Sequence, residues 1–318
     1  MTIMKNILKV FLFAALSTVA LTGCQSDELS SQSIFANGMG NTIKEKTDFD
    51  KWLEKNFVGD YNISLNYFYN DKESNQTYNV TPADYDKAKA LAWIIKYVWL
   101  DAYTEAMGGD KTFLRTYTPR VIQLSGSYMW KSNDSQVMGT AEQGMKIMLY
   151  GVNELDLDNP RFVSDNPYES HAIRPIDMNH WFFETMHHEF CHILTQKKNY
   201  SLEYQNISNG TYHATDWVNI KDTQAAKEGF VTGYASSEYN EDFAETYAMY
   251  ISYSKVGWDK IITQAGKEGA AKIIKKLEMQ RKYFKDSWNI DLDKMRDIVQ
   301  RRCTEVSKMD IKNLDYSL

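Results

Sequence analysis

Apolar and polar positions along the 318-residue chain change rhythm several times. Asp48 to Phe57 places apolar residues at helical intervals and predicts a short helix, while Tyr61-Asn62-Ile63-Ser64-Leu65-Asn66-Tyr67 alternates in twos like a half-buried strand. A longer helical pattern opens at Pro82 and runs to Met107, carrying Tyr85, Ala88, Leu91, Trp93, Ile95, Val98 and Trp99. Gly108-Gly109 ends it, so it predicts a buried helix of about seven turns. From Pro119 to Tyr150 the rhythm is that of strands, at Val121–Leu124, Ser127–Trp130 and Met145–Tyr150, which predicts a small antiparallel or mixed sheet. Helices are predicted over 177–197 and 240–254, with an irregular stretch of over forty residues between them. A loop of that length commonly carries function, here as the cover of a cleft. From Trp258 to Met309 the pattern is helical, with Gly266 and Gly269 as interruptions. The fold class is α+β, with a small sheet followed by a mostly helical C-terminal part.

The first residues follow another logic. Lys5 and Lys9 precede the apolar run Val10-Phe11-Leu12-Phe13-Ala14-Ala15-Leu16, and small residues lead to Leu21-Thr22-Gly23-Cys24. The run is shorter than the roughly 20 residues that span a bilayer, so residues 1–23 read as an export signal. Leu21-Thr22-Gly23-Cys24 resembles the bacterial lipoprotein box, which implies that Cys24 is acylated and tethers the mature chain to a membrane. Residues 24–46 are polar and serine-rich and read as a flexible tether, leaving 47–318 as one domain with a helical C-terminal subdomain from about 255. Asp27-Glu28, just behind the cysteine, is similar to the surface-export signal of Bacteroidetes lipoproteins. That implies an outer-membrane, cell-surface address, with the periplasmic face as the alternative.

Composition narrows the function. With 25% charged and 43% hydrophobic residues the chain is globular, not disordered or disulfide-stapled. Its formal charge of −6 becomes −8 once Lys5 and Lys9 are removed (34 basic against 42 acidic residues), which argues against nucleic-acid binding. With Cys24 in the anchor, Cys191 and Cys303 allow at most one disulfide.

The chemistry concentrates in Met186-His187-His188-Glu189-Phe190-Cys191-His192. Two histidines four apart on a helix lie one turn above the other, so His188 and His192 can reach one metal ion, and Glu189 can take a proton from water activated there. This is the HExxH zinc signature. The predicted helix supports it: Asp177 is placed to cap, and Phe183, Met186, Phe190 and Ile193 form an apolar stripe opposite Glu184, His188, His192 and Gln196. His187 lies about 100° around the helix and is left a supporting or solvent-facing role. Cys191 reads as a small core residue, and His171, His180 and His213, lacking a spacing partner, as plain polar residues. A catalytic zinc needs one more protein ligand. In Asn240-Glu241-Asp242-Phe243-Ala244-Glu245 two carboxylates stand four apart behind Asn240 as cap, with Phe243 and Tyr247 facing inward. Glu241 is the candidate third ligand, and Glu245, a turn deeper, the acceptor that fixes the tautomer of a ligand histidine.

HExxH followed by a distant Glu-x-x-x-Asp/Glu helix resembles the gluzincin arrangement of zincin-like metallopeptidases. The stretch Tyr234-x6-Glu241-x-Phe243-Ala244-Glu245 is similar to the catalytic domain of anthrax lethal factor, which implies that Tyr234 hydrogen-bonds the oxyanion. The lipoprotein start, the Asp50-Lys51-Trp52 helix and Gly144-x-Lys146 before a strand resemble the zinc metallopeptidase lipoproteins of Bacteroidetes, encoded beside TonB-dependent importers. The resemblance implies one zinc ion, a peptide or protein substrate and an importer system as partner; we expect a monomer. It also implies an edge strand above the metal helix that holds extended substrate, for which Met145 to Tyr150 is the candidate, with a core strand as the equal alternative. Two other functions stay open: an accessory nutrient-binding lipoprotein with a structural metal, and a zinc hydrolase of a non-peptide amide.

Overall fold

The computed structural model describes residues 46–69, 79–130, 136–137, 139–142 and 145–317. The export signal, Cys24 and nearly all of the tether lie outside the described residues. The unit from Thr47 onward contains the elements that follow. Helix α1 (Asp48–Leu53) starts at a capping box, the Thr47 hydroxyl accepting from the Asp50 amide while the Asp50 carboxylate accepts from the Thr47 amide. It buries Phe49, Trp52 and Leu53. The predicted long helix begins at Tyr85, not Pro82, because the Asp84 carboxylate accepts from the Lys87 amide and caps it. It runs as α2 (Tyr85–Ile95), widens by one residue per turn over Lys96–Leu100, and resumes as α3 (Asp101–Ala106). Gly108 and Gly109 end it at φ +72° and +94°, where a side chain would be strained. A short helix, α4 (Thr112–Tyr117), follows that the pattern did not reveal.

The sheet is mixed. Strands β1 (Ser64–Asn66), β2 (Val121–Leu124) and β6 (Lys146–Leu149) are parallel, and β5 (Gly139–Glu142) closes the order β1-β2-β6-β5 antiparallel to β6. A separate pair, β3 (Met129–Trp130) with β4 (Gln136–Val137), stands beside it. Strand β6 is buried along its whole length and sits between β2 and β5. The candidate edge strand is therefore a core strand, and among the described residues the free margin next to the metal helix belongs to β5.

Helix α5 (Thr185–Lys197) carries HExxH and continues a wider turn over Asn179–Glu184. Asp177 caps that start as predicted, its carboxylate accepting from the Asn179 and Val163 amides at 3.0 and 2.8 Å. Helix α8 (Tyr239–Ser252) packs against α5. Its cap position is Glu238 and not Asn240, which lies inside the first turn and accepts a hydrogen bond from the Tyr200 hydroxyl. The stretch between α5 and α8 is not irregular: it holds α6 (Glu203–Ile207), a 3-10 turn at Trp217–Asn219, α7 (Asp222–Glu228) and a second 3-10 turn at Tyr234–Ser236. Helix α9 (Lys255–Trp288) is kinked at Gly266, where φ is +65°, and α10 (Leu292–Val306) follows. Gly269 interrupts nothing: a β-carbon there would stand 2.2 Å from the Ala226 carbonyl, so its role is to let α9 and α7 touch.

Phe190, inside the HExxH motif, fixes α5 in the core. Its ring packs edge-on against Trp99, Tyr103 and Phe113 at 5.4, 5.2 and 6.0 Å. Cys191 and Cys303 are both buried free thiols.

Candidate metal centre

Because Phe190 and Ile193 face the core, the opposite side of α5 turns His188 and His192 toward α8. There Glu241 meets them: its Oε2 lies 3.0 Å from His188 Nε2 and 3.3 Å from His192 Nε2, and the two nitrogens are 3.0 Å apart. Ligands about 2.1 Å from a tetrahedral zinc stand roughly 3.4 Å from one another. The three donor atoms thus already have nearly the spacing of three corners of such a tetrahedron, which leaves the fourth open. Among the described residues these are the ones that gather to hold a metal. Two imidazoles and one carboxylate are also the donor set of a catalytic zinc.

What holds the ligands is visible. Glu245 Oε1 lies 2.7 Å from His188 Nδ1, and Glu245 Oε2 accepts from the Thr232 hydroxyl at 2.6 Å. A proton on Nδ1 leaves the Nε2 lone pair for the metal. Thr232 Oγ1 in turn accepts from the Ala235 amide at 3.0 Å, so the loop that carries Tyr234 is tied to the same carboxylate. Burial opposes charge on His188, but Glu241 and Glu245 outweigh it and hold its pKa well above the ordinary value. Glu241 is pushed the other way, burial being overcome by the two imidazoles, and its pKa is lowered.

Glu189 follows His188 and borders the cleft on both sides of the ligands. Burial raises its pKa above the ordinary carboxylate value, against the pull of His188 and His192. Tyr234, in the second 3-10 turn, lays its ring over His188 at 5.8 Å and against Trp217 at 4.8 Å. Burial and the nearby Glu241 carboxylate raise its pKa, so its hydroxyl keeps its proton and can donate.

Two of the other histidines differ from their sequence reading. His187 is fully buried, not solvent-facing, with Nδ1 3.0 Å from the Tyr103 hydroxyl. His180 does have spacing partners, Glu184 four residues on and His188 eight on: its Nδ1 lies 3.4 Å from Glu184 Oε2, and the His171 ring stacks on its face at 3.4 Å. Burial opposes its charge, yet Glu184 holds its pKa above the ordinary value. His213 sits 2.7 Å from Glu228, away from the ligands. Two cavities flank them. One, of about 660 Å³, runs past Glu184, Asp222 and Trp217; the other, of about 580 Å³, runs past Gln196, Asn199 and Glu238. Gly139 of β5 borders both.

The model of a family described as "Putative zinc-binding metallo-peptidase" matches residues 42–293. A solved structure similar to this chain is that of a "putative zinc-binding metallo-peptidase" from Bacteroides caccae ATCC 43185, at 2.10 Å resolution. It is 40% identical, with 86% of this chain and 98% of that one covered and a TM-score of 0.70. No curated protein matches. Zinc in the family's description agrees with the donor set of His188, His192 and Glu241. With most of its length matched, the chain belongs to this family of zinc-binding metallo-peptidases.

Proposed function

We propose that this protein hydrolyses peptide bonds at the centre formed by His188, His192 and Glu241, with Glu189 as general base and Tyr234 as oxyanion donor. The observation that carries this reading is the placement of Glu189: a structural metal site has no use for a half-buried carboxylate that follows a ligand and borders the cleft on both sides of the ligands. Zinc held by those three residues supplies a Lewis acid that acidifies water and polarises a carbonyl. Glu189 takes the proton from the attacking water and hands it to the leaving amine, a transfer its raised pKa favours in both directions. The Tyr234 hydroxyl, kept protonated, donates to the carbonyl oxygen as negative charge grows there. The margin of β5 offers backbone groups to a substrate lying extended above α5. The site's likeness to the lethal factor catalytic domain belongs to the same proposal.

Its setting follows from the N-terminal sequence: acylation of Cys24 anchors the protein in the outer membrane, facing the cell surface, as a monomer that serves a TonB-dependent importer. No helix among the described residues is long and apolar enough to cross a membrane. Peptide-library cleavage by the purified protein, with and without chelator, tests the activity. Cleavage that chelation abolishes and zinc restores is the expected result, and a zinc-loaded protein that leaves every peptide intact would refute it.

A further inference from the structure

The cavity on the Glu184 side of the ligands is far larger than water activation requires. Its lining includes the apolar Trp217, Val218, Ile220 and Met249 and the carboxylates Glu184 and Asp222. Glu184 lies four residues before His188 on the same helix face, about 6 Å along the axis. It is only 9% exposed, and its Oε2 accepts from the Tyr253 hydroxyl at 3.3 Å and faces His180. Asp222 Oδ1 accepts from the Gly233 amide at 2.7 Å. Among the described residues the hydrogen bonds of Glu184 and Asp222 reach one oxygen of each carboxylate, and no lysine or arginine lines the cavity. His180 offsets at most one of the two charges. Glu184 is buried and Asp222 half-buried; carboxylates so placed are normally paired with cations, and beyond His180 the described residues supply none here.

Resting on the peptidase reading, we infer that this cavity is the specificity pocket of the enzyme and takes the basic side chain, lysine or arginine, of the residue flanking the scissile bond. The alkyl stem lies along Trp217, Val218 and Ile220, and the cation reaches Glu184 and Asp222. A four-carbon stem spans the one-turn distance from the metal ligands to Glu184. An uncharged apolar residue would cover the apolar lining but would desolvate both carboxylates without supplying a cation.

The test uses the zinc-loaded protein and one cleaved peptide sequence carrying lysine, arginine, norleucine or glutamate next to the scissile bond, on either side in turn. On one side kcat/KM for lysine and arginine should exceed that for norleucine by tenfold or more, with glutamate poorest. In Glu184→Gln and in Asp222→Asn, each checked for full zinc content, the lysine-to-norleucine ratio should fall toward one. Norleucine equal to or better than lysine in the wild-type protein overturns the assignment without any variant, as does a ratio that both variants preserve. A library left wholly uncleaved would remove the peptidase reading and this assignment together; cleavage without basic preference removes this assignment alone.

Discussion

Glu245 touches no ligand position on the metal, yet it joins His188 to Thr232 and so ties a ligand to the loop that carries Tyr234. Glu245→Ala should therefore weaken zinc binding by about 10- to 100-fold; a chelator competition titration reads this directly, and equal affinity would show that the carboxylate does not hold the imidazole. Glu241→Ala should reduce zinc content outright. At Asp177 the physics concerns stability. Burial lifts its pKa from 3.8 to about 6 against the hydrogen bonds of its cap. An acid whose folded pKa lies above its unfolded one binds more protons when folded, so its contribution to stability falls as pH rises from 3.8 toward 6. Urea denaturation of wild type and Asp177→Asn across that range should show the wild type losing stability relative to the variant, and a constant difference would contradict the shift. The three HExxH residues were legible because fixed helical spacing encodes them. The use of His180 was hidden because its stacking partner His171 comes from a loop that no periodicity describes.

Among the elements, the sheet's margin next to α5 shows where pattern reading stops. Strand β6 has the apolar run that marks a strand, and for the same reason it is buried in the middle of the sheet. The marginal strand β5, Gly139-Thr140-Ala141-Glu142, is short and polar, as a half-solvated edge is, and so is silent in a search for apolar alternation. Gly139 lets it lie on α5: a β-carbon there would stand 2.5 Å from Thr185 Cγ2 and 2.9 Å from the Met148 carbonyl oxygen. The methyl can turn aside, but the backbone oxygen cannot. Gly139→Ala should thus displace β5, with a loss of about 1–3 kcal/mol in stability and a higher KM, measurable by denaturation and steady-state kinetics. Unchanged values of both would mean that β5 has room to spare. The stretch between α5 and α8 was read as irregular because its helices are too short to show a period, yet two of them supply Trp217 and Asp222 to the cleft.

At the scale of the molecule, an α+β fold with a small sheet and a helical C-terminal part was legible from the order of patterns. The couplings between distant segments were not. Lys276 of α9 and Asp242 of α8 form an ion pair at 2.6 Å with both side chains fully buried, and Lys276 also donates to the Gly229 carbonyl at 2.7 Å. Asp242 receives the Tyr212 hydroxyl as well, so the residue beside the ligand Glu241 is held from two segments that sequence spacing does not relate. Removing the ammonium would strand a buried carboxylate, so Lys276→Met should cost about 3–5 kcal/mol. Thermal or chemical denaturation checks this, and a loss below about 1 kcal/mol, the range of an exposed pair, would show that the pair is not structural. The central claim, that this buried framework presents activated water to a peptide bond, turns on Glu189. The decisive measurement is zinc content together with turnover on a cleaved peptide for Glu189→Gln: one zinc per chain with turnover lower by orders of magnitude is predicted. Wild-type turnover at full zinc content would contradict the account.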